Sequence, residues 1–285
     1  MQLDGHIHMV LDGKNWRQAI AAHSWKPNTQ WIAAQLAQYQ RLGLTYLRDG
    51  GDRWGVCLAA REMARDYGIT YRCPAFPIYK EGRYGGFIGR SFSDLQEYRA
   101  LVTEVRRLGG DFIKIMIAGL MDFNQYGKLS CDGLDAEEIR EMVRIAHGEG
   151  FPVMAHANGA ETVRLAAEAG VDSVEHGAYL DAKALGAMVE HNVIWTPTLA
   201  TIGNLRGKGR FQEAAVEEIL QSAMENVRQF AALGGLLAPG SDAGAWQVLH
   251  GQGGLDEYGL LERTLGESLL PALKTGEMAL QRRFG

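Results

Sequence analysis

The 285 residues are 46% hydrophobic and 22% charged, with a formal net charge of −5, which is ordinary globular composition. The acidic balance and the lack of a long basic run argue against nucleic acid or an anionic membrane as the main partner. No apolar run approaches the ~20 residues needed to span a bilayer, and no basic segment with an apolar core opens the chain, so a cytoplasmic protein is expected.

Chain order begins with a strand at 3–9. Helical stretches follow at 30–42, 56–67, 93–108, 136–149, 160–169, 182–191 and 211–233. Each ends at a glycine or asparagine, namely Gly43, Gly68, Gly109, Gly150, Gly170, Asn192 and Gly234, as a left-handed C-terminal cap requires. A short, nearly continuous apolar run comes after each: 44–47, 69–73, 112–117, 152–155, 171–174, 193–195 and 236–238. Such runs suit parallel strands buried on both faces. With the first strand they make eight, alternating with helices. That pattern predicts one α/β domain over 1–285, a (β/α)8 TIM-type barrel. An open doubly wound sheet is the alternative, but no Gly-X-Gly-X-X-Gly turn follows the first strand. Cys57, Cys73 and Cys131 are odd in number and lack Cys-X-X-Cys spacing, so neither a disulfide framework nor a thiolate zinc site is indicated.

Both folds place their sites at the carboxyl ends of the strands. The first strand carries Asp4-Gly5-His6-Ile7-His8, and its two histidines share a face because strand side chains alternate. Neutral imidazoles so placed can grip one divalent metal ion. Further strand ends supply Arg48 and Asp49, Cys73, Lys114, His156 with Asn158, Glu175 with His176, Thr196 with Thr198, and Ser241 with Asp242. His6, His8, His156, His176 and Asp242 therefore meet at one barrel mouth as a nitrogen- and oxygen-rich metal site. Lys114 is out of place beside cations. It must lose its proton, extend away, or be converted into an anion.

These motifs resemble the amidohydrolase superfamily, in its imidazolonepropionase- and prolidase-like branch. The likeness runs through Asp4-Gly5-His6-Ile7-His8, Leu47-Arg48-Asp49-Gly50-Gly51, Phe112-Ile113-Lys114-Ile115-Met116, Ala155-His156-Ala157-Asn158-Gly159, Val174-Glu175-His176-Gly177 and Gly240-Ser241-Asp242-Ala243-Gly244. The resemblance implies two divalent ions, expected to be zinc. His6, His8 and Asp242 would hold the deeper one, and His156 and His176 the more exposed one. A Lys114 carboxylated to a carbamate would bridge them. It further implies hydrolysis of an amide-like C–N bond by a metal-bridging hydroxide, with Asp242 as base and then acid. The substrate would be a small molecule such as an N-acyl amino acid, dipeptide or cyclic amide.

Relatives commonly carry a flanking β-sandwich; none is expected here, and self-association is expected to cover the exposed apolar surface. Prolidase-like relatives read His-Ala-His-Gly where this chain has Asn158, which weakens a dipeptidase assignment. The rivals are a mononuclear deaminase or imidazolonepropionase-type enzyme, which would lack the strand-four lysine, and a silent binding barrel. Long segments at 10–28, 78–90 and 201–210 carry basic and aromatic residues suited to gripping a substrate carboxylate. From these and other loops Arg83, Tyr126, Tyr179 and His250 are the expected substrate contacts. His147 and His191 lie near helix C-termini and suit the helix dipole.

Overall fold

The computed structural model describes residues 2–285, less the side chain of Leu269. The apolar runs become parallel strands. β1 (Gln2–Ile7), β2 (Leu44–Asp49) and β3 (Thr70–Arg72) pair in that order. A second sheet contains β4 (Pro77–Lys80), β5 (Arg90–Phe92), β6 (Ile113–Met116), β7 (Val153–Ala157), β8 (Ser173–His176), β9 (Ile194–Thr196) and β10 (Leu236–Leu237). Its order is β10-β9-β8-β7-β6-β4-β5. The two sheets join into a ring. On one side, Gly5 N donates to Pro239 O at 2.9 Å, Asp242 N to His6 O at 2.7 Å and His8 N to Ala243 O at 2.7 Å. On the other, Asp52 N donates to Ala75 O at 3.2 Å and Asp111 N to Cys73 O at 2.8 Å.

The third barrel position departs from the expected single strand. β3 and β4 share it, one pairing with β2 and the other with β6. The break falls at Pro74, which has no N–H to offer a ladder, and Ala75, whose φ is 67°. β5, which begins at the end of the long 78–90 segment, pairs outside β4. Among the described residues every named strand belongs to one of these two sheets.

Helices cover the ring: α1 (Trp16–Ala21), α2 (Thr29–Arg41), α3 (Val56–Ala64), α4 (Leu95–Leu108), α5 (Ala136–Gly148), α6 (Ala160–Ala169), α7 (Ala182–Glu190), α8 (Ala200–Gly203), α9 (Glu213–Ala232), α10 (Gln252–Leu265) and α11 (Leu269–Phe284). Their starts show why they form where they do. Asp94 caps α4 by accepting from Gln96 N and Glu97 N at 2.9 Å, and Ser93 N donates back to Glu97 Oε2 at 2.7 Å. The pattern is a capping box displaced by one residue, with the return bond going to the residue before the cap. α11 lies under the amino ends of the strands, where Leu280 and Phe284 pack with Leu3, Tyr46, Phe112, Met154 and Ile194. The barrel is therefore plugged at one end, and chemistry is confined to the other. No helix is long and apolar enough to cross a membrane among the described residues.

Candidate metal centre

β1 carries His6 to the end of the ring with its side chain wholly buried, and His8 follows at 7% exposure. Asp242 comes from the turn after β10, and its backbone bond to His6 O sets it beside the pair. His6 Nε2 and His8 Nε2 are 3.4 Å apart, and Asp242 Oδ1 lies 3.6 and 3.5 Å from them. These three donor atoms all fall within 4.8 Å of one another. Only a glycine fits behind them, since a Cβ on Gly50 would come within 2.3 Å of His8 Cε1.

His156 and His176 stand next to this trio. Their ring centroids are 4.6 Å apart, and His176 is 5.0 Å from His6. His156 Nε2 faces Gly119 O at 3.3 Å, while His176 Nδ1 pairs with Thr198 Oγ1 at 2.8 Å. His176 and Asp242 both adopt left-handed backbone, φ 68° and 58°. For residues other than glycine that conformation costs on the order of 1–3 kcal/mol each, and it gathers at functional sites.

Burial, and next the neighbouring Lys114 ammonium, pushes His8 and His156 down to about 3. His6 and His176 are also held well below the usual range, by burial first. All four imidazoles are neutral at pH 7, the form a metal requires. Asp242 is pushed up by burial to about 7, against the pull of Lys114. Lys114 is 1% exposed and its Nζ has no hydrogen-bond partner. Burial brings its ammonium down to about 8, with Glu175 opposing. Three convergent donors, four neutral imidazoles and an unpartnered buried amine fit a divalent cation.

Beneath the trio lies a charge pair that the sequence did not single out as functional. Glu175 Oε2 is 2.9 Å from His6 Nδ1, off the ideal hydrogen-bond direction, and neither atom has a hydrogen bond elsewhere. Glu175 Oε1 accepts from Arg48 Nη2 at 2.8 Å and from Ser173 Oγ at 2.6 Å. Arg48 Nε donates to Gly5 O at 2.7 Å. The readable signal was two opposite charges inside apolar strands. Tyr84, beside Arg83 in the 78–90 segment, has its ring centroid 5.0 Å from that of His156.

The expected substrate contacts scatter. His250 has both ring nitrogens engaged, Nδ1 with Tyr39 OH at 3.0 Å and Nε2 with Leu11 O at 2.8 Å. Neither ring nitrogen is left for a ligand. Arg83 is exposed. Tyr126 meets Tyr179 edge-on at 5.0 Å and bonds Ser222 Oγ at 3.0 Å. His147 pairs with Asp172 at 2.9 Å.

The ring thus carries a cluster of candidate metal ligands at its open end, and sequence comparison supplies its family. Residues 56–263 match the sequence profile described as the amidohydrolase family, and the chain belongs to that family. Uncharacterized proteins of Mycobacterium bovis and Mycobacterium tuberculosis are 27% identical over 187 residues, 64% of this chain and 49% of theirs. The match thus spans about half the length of those relatives. Among solved structures, a Xaa-Pro dipeptidase with bound methionine superposes with a TM-score of 0.78 at 21% identity, covering 98% of this chain and 75% of its own. A prolidase complexed with N-methylphosphonate-L-proline gives 0.75 at 23%, over 99% and 74%. The ochratoxinase of A. niger gives 0.76 at 19%, over 98% and 71%.

Proposed function

We propose that this protein is a metal-dependent hydrolase that cleaves an amide-like C–N bond in a small molecule. The observation that carries the reading is the convergence of His6, His8 and Asp242 beside a buried Lys114 with no hydrogen-bond partner. Family membership supports it, and so do the names of similar structures, a dipeptidase and a prolidase among them.

His6, His8 and Asp242 would hold one divalent ion, zinc being the natural choice for this donor set. His156 and His176 would hold a second, bridged to the first through Lys114. Bound there, two such ions would polarise a substrate carbonyl and lower the pKa of a water. The side chains do the rest. Lys114, easily deprotonated at its Nζ, can add carbon dioxide, forming an N–C bond and releasing a proton to give a carbamate anion. Asp242, poised near neutrality, takes a proton at its carboxylate and returns it to the departing nitrogen. The Arg48–Glu175 pair keeps His6 aimed at the trio. N-acyl amino acids, dipeptides and cyclic amides are the substrate classes to test.

A mononuclear centre is the second reading, favoured because His6, His8 and Asp242 are the single convergent group of three such residues among those described. Metal analysis separates the two. The purified protein should carry two ions per chain, and Lys114→Met should lose one of them. One ion in both proteins, with equal turnover, would leave the mononuclear reading. If an N-acyl amino acid, dipeptide and lactam panel gave no turnover by metal-loaded protein, hydrolysis itself would be refuted.

A further inference from the structure

Beyond the metal ligands, a row of aromatic rings climbs out of the barrel mouth. Tyr84 stands 5.0 Å from His156 at an interplanar angle of 41°. Phe87 stands 5.6 Å from Tyr84, and Trp16 meets Phe87 edge-on at 6.0 Å. Tyr84 and Phe87 are half-buried, and Trp16 is 44% exposed. The outer end is partly covered by Arg17, whose guanidinium lies 4.5 Å from the Trp16 ring. The row joins the start of α1 to the loop between β4 and β5. It starts against a candidate metal ligand and ends at the rim.

This wall is built before any ligand arrives. Arg53 N donates to Ile88 O at 3.0 Å, Gly89 N to Gly85 O at 2.9 Å, and Ile88 is wholly buried. Gly85 has φ 135°, and a Cβ there would come within 2.6 Å of Tyr79 Cβ. The rings are therefore held by backbone rather than left to find a position, which lowers the ordering cost of binding. Partly exposed aromatic faces at the mouth of a site are apolar surface still available for burial. A planar ring uses such a tilted series better than an alkyl chain does, because it adds edge-to-face attraction to area burial.

We propose that Tyr84, Phe87 and Trp16 form a subsite for an aromatic ring on the substrate, placed alongside the scissile amide. This rests on the hydrolase reading and narrows it to ring-bearing amides.

Binding tests it without turnover. L-Phenylalanine and L-alanine, which carry no amide to cleave, are titrated calorimetrically into the metal-loaded protein. The ring compound should bind about tenfold more tightly. Phe87→Leu and Trp16→Leu, which keep apolar bulk and remove a ring, should each shrink that preference, and the double variant should nearly abolish it. Equal binding of the two ligands by the wild type would overturn the subsite, with no variant needed. So would a full preference in the folded double variant. Ring preference without turnover of any amide would leave the subsite standing and sink the hydrolase, whereas turnover of alkyl and aryl amides alike would do the reverse.

Discussion

Glu175 sits where a metal site is tuned rather than formed. Its Oε2 lies 2.9 Å from His6 Nδ1 while Arg48 and Ser173 hold its other oxygen. Carboxylate partners of ligating histidines fix ring orientation, and losing one typically costs about 10–100-fold in metal affinity. Glu175→Gln should weaken binding by that order, read by competition with a chromophoric chelator. It should also destabilise the fold, since Arg48 is left buried without a counter-charge. The double variant Arg48→Met/Glu175→Gln should recover stability but not affinity, which separates the two effects. Asp242→Asn should abolish turnover and retain much of the metal. Near-wild-type turnover in that variant would remove the proton-shuttle role. At this scale the sequence told a good deal. His6, His8 and Asp242 could be placed because strand alternation and strand-end position decide which way a side chain faces. His250 could not, because its partners Tyr39 and Leu11 are more than 200 residues distant in sequence and only the closed ring brings them near.

Among elements, α10 and α8 are tied by one carboxylate. Glu257 is wholly buried and accepts from Ala200 N at 2.7 Å, while its Oε1 has no hydrogen bond. Burial pushes it up to about 8 from an ordinary 4.5. A folded-state value raised in this way favours the fold fully below the unfolded value and loses that favour as pH rises through the folded one. Glu257→Gln keeps an acceptor and removes the titration. Its melting midpoint relative to wild type should therefore rise from pH 5 to pH 9, and a difference independent of pH would mean that Glu257 is ionised throughout. A plainer expectation concerns α4. Asp94→Ala removes the cap on Gln96 N and Glu97 N and should cost about 1 kcal/mol in denaturant unfolding. Helices like this were readable because Asp caps and terminal glycines mark them locally. β4, β5, α1 and α8 were not. Each spans only three to six residues, too few for a periodicity of its own to show.

For the whole molecule, the burial that prepares the site also loads the metal-free barrel with misplaced protons. Asp4, Asp49 and Asp242 are pushed up to about 6, 7 and 7, all by burial first. His8, His156 and His250 are pushed down to about 3, 3 and 4, again by burial. Below about pH 6.5 the two sets oppose each other, because unfolding would charge the histidines and ionise the carboxyls. Above it the histidines no longer contribute, and the carboxyls favour unfolding as pH rises until Lys114, brought down to about 8, begins to lose its proton and opposes them. Metal-free protein should therefore lose thermal stability between about pH 6.5 and 8, and added zinc should restore it. A flat calorimetric profile over that window would mean these carboxyls are solvated.

The plug of the barrel has a reach that its position conceals. Arg48 lies with its guanidinium 4.4 Å over the Phe284 ring at the floor, and the same side chain holds Glu175 against His6. Floor and metal site are thus the two ends of one column of contacts. Selection for activity will then constrain residues that no substrate ever approaches, and redesign of the floor for heat resistance will retune the metal site. Phe284→Leu, a change confined to packing, is accordingly expected to shift metal affinity as well as the melting midpoint.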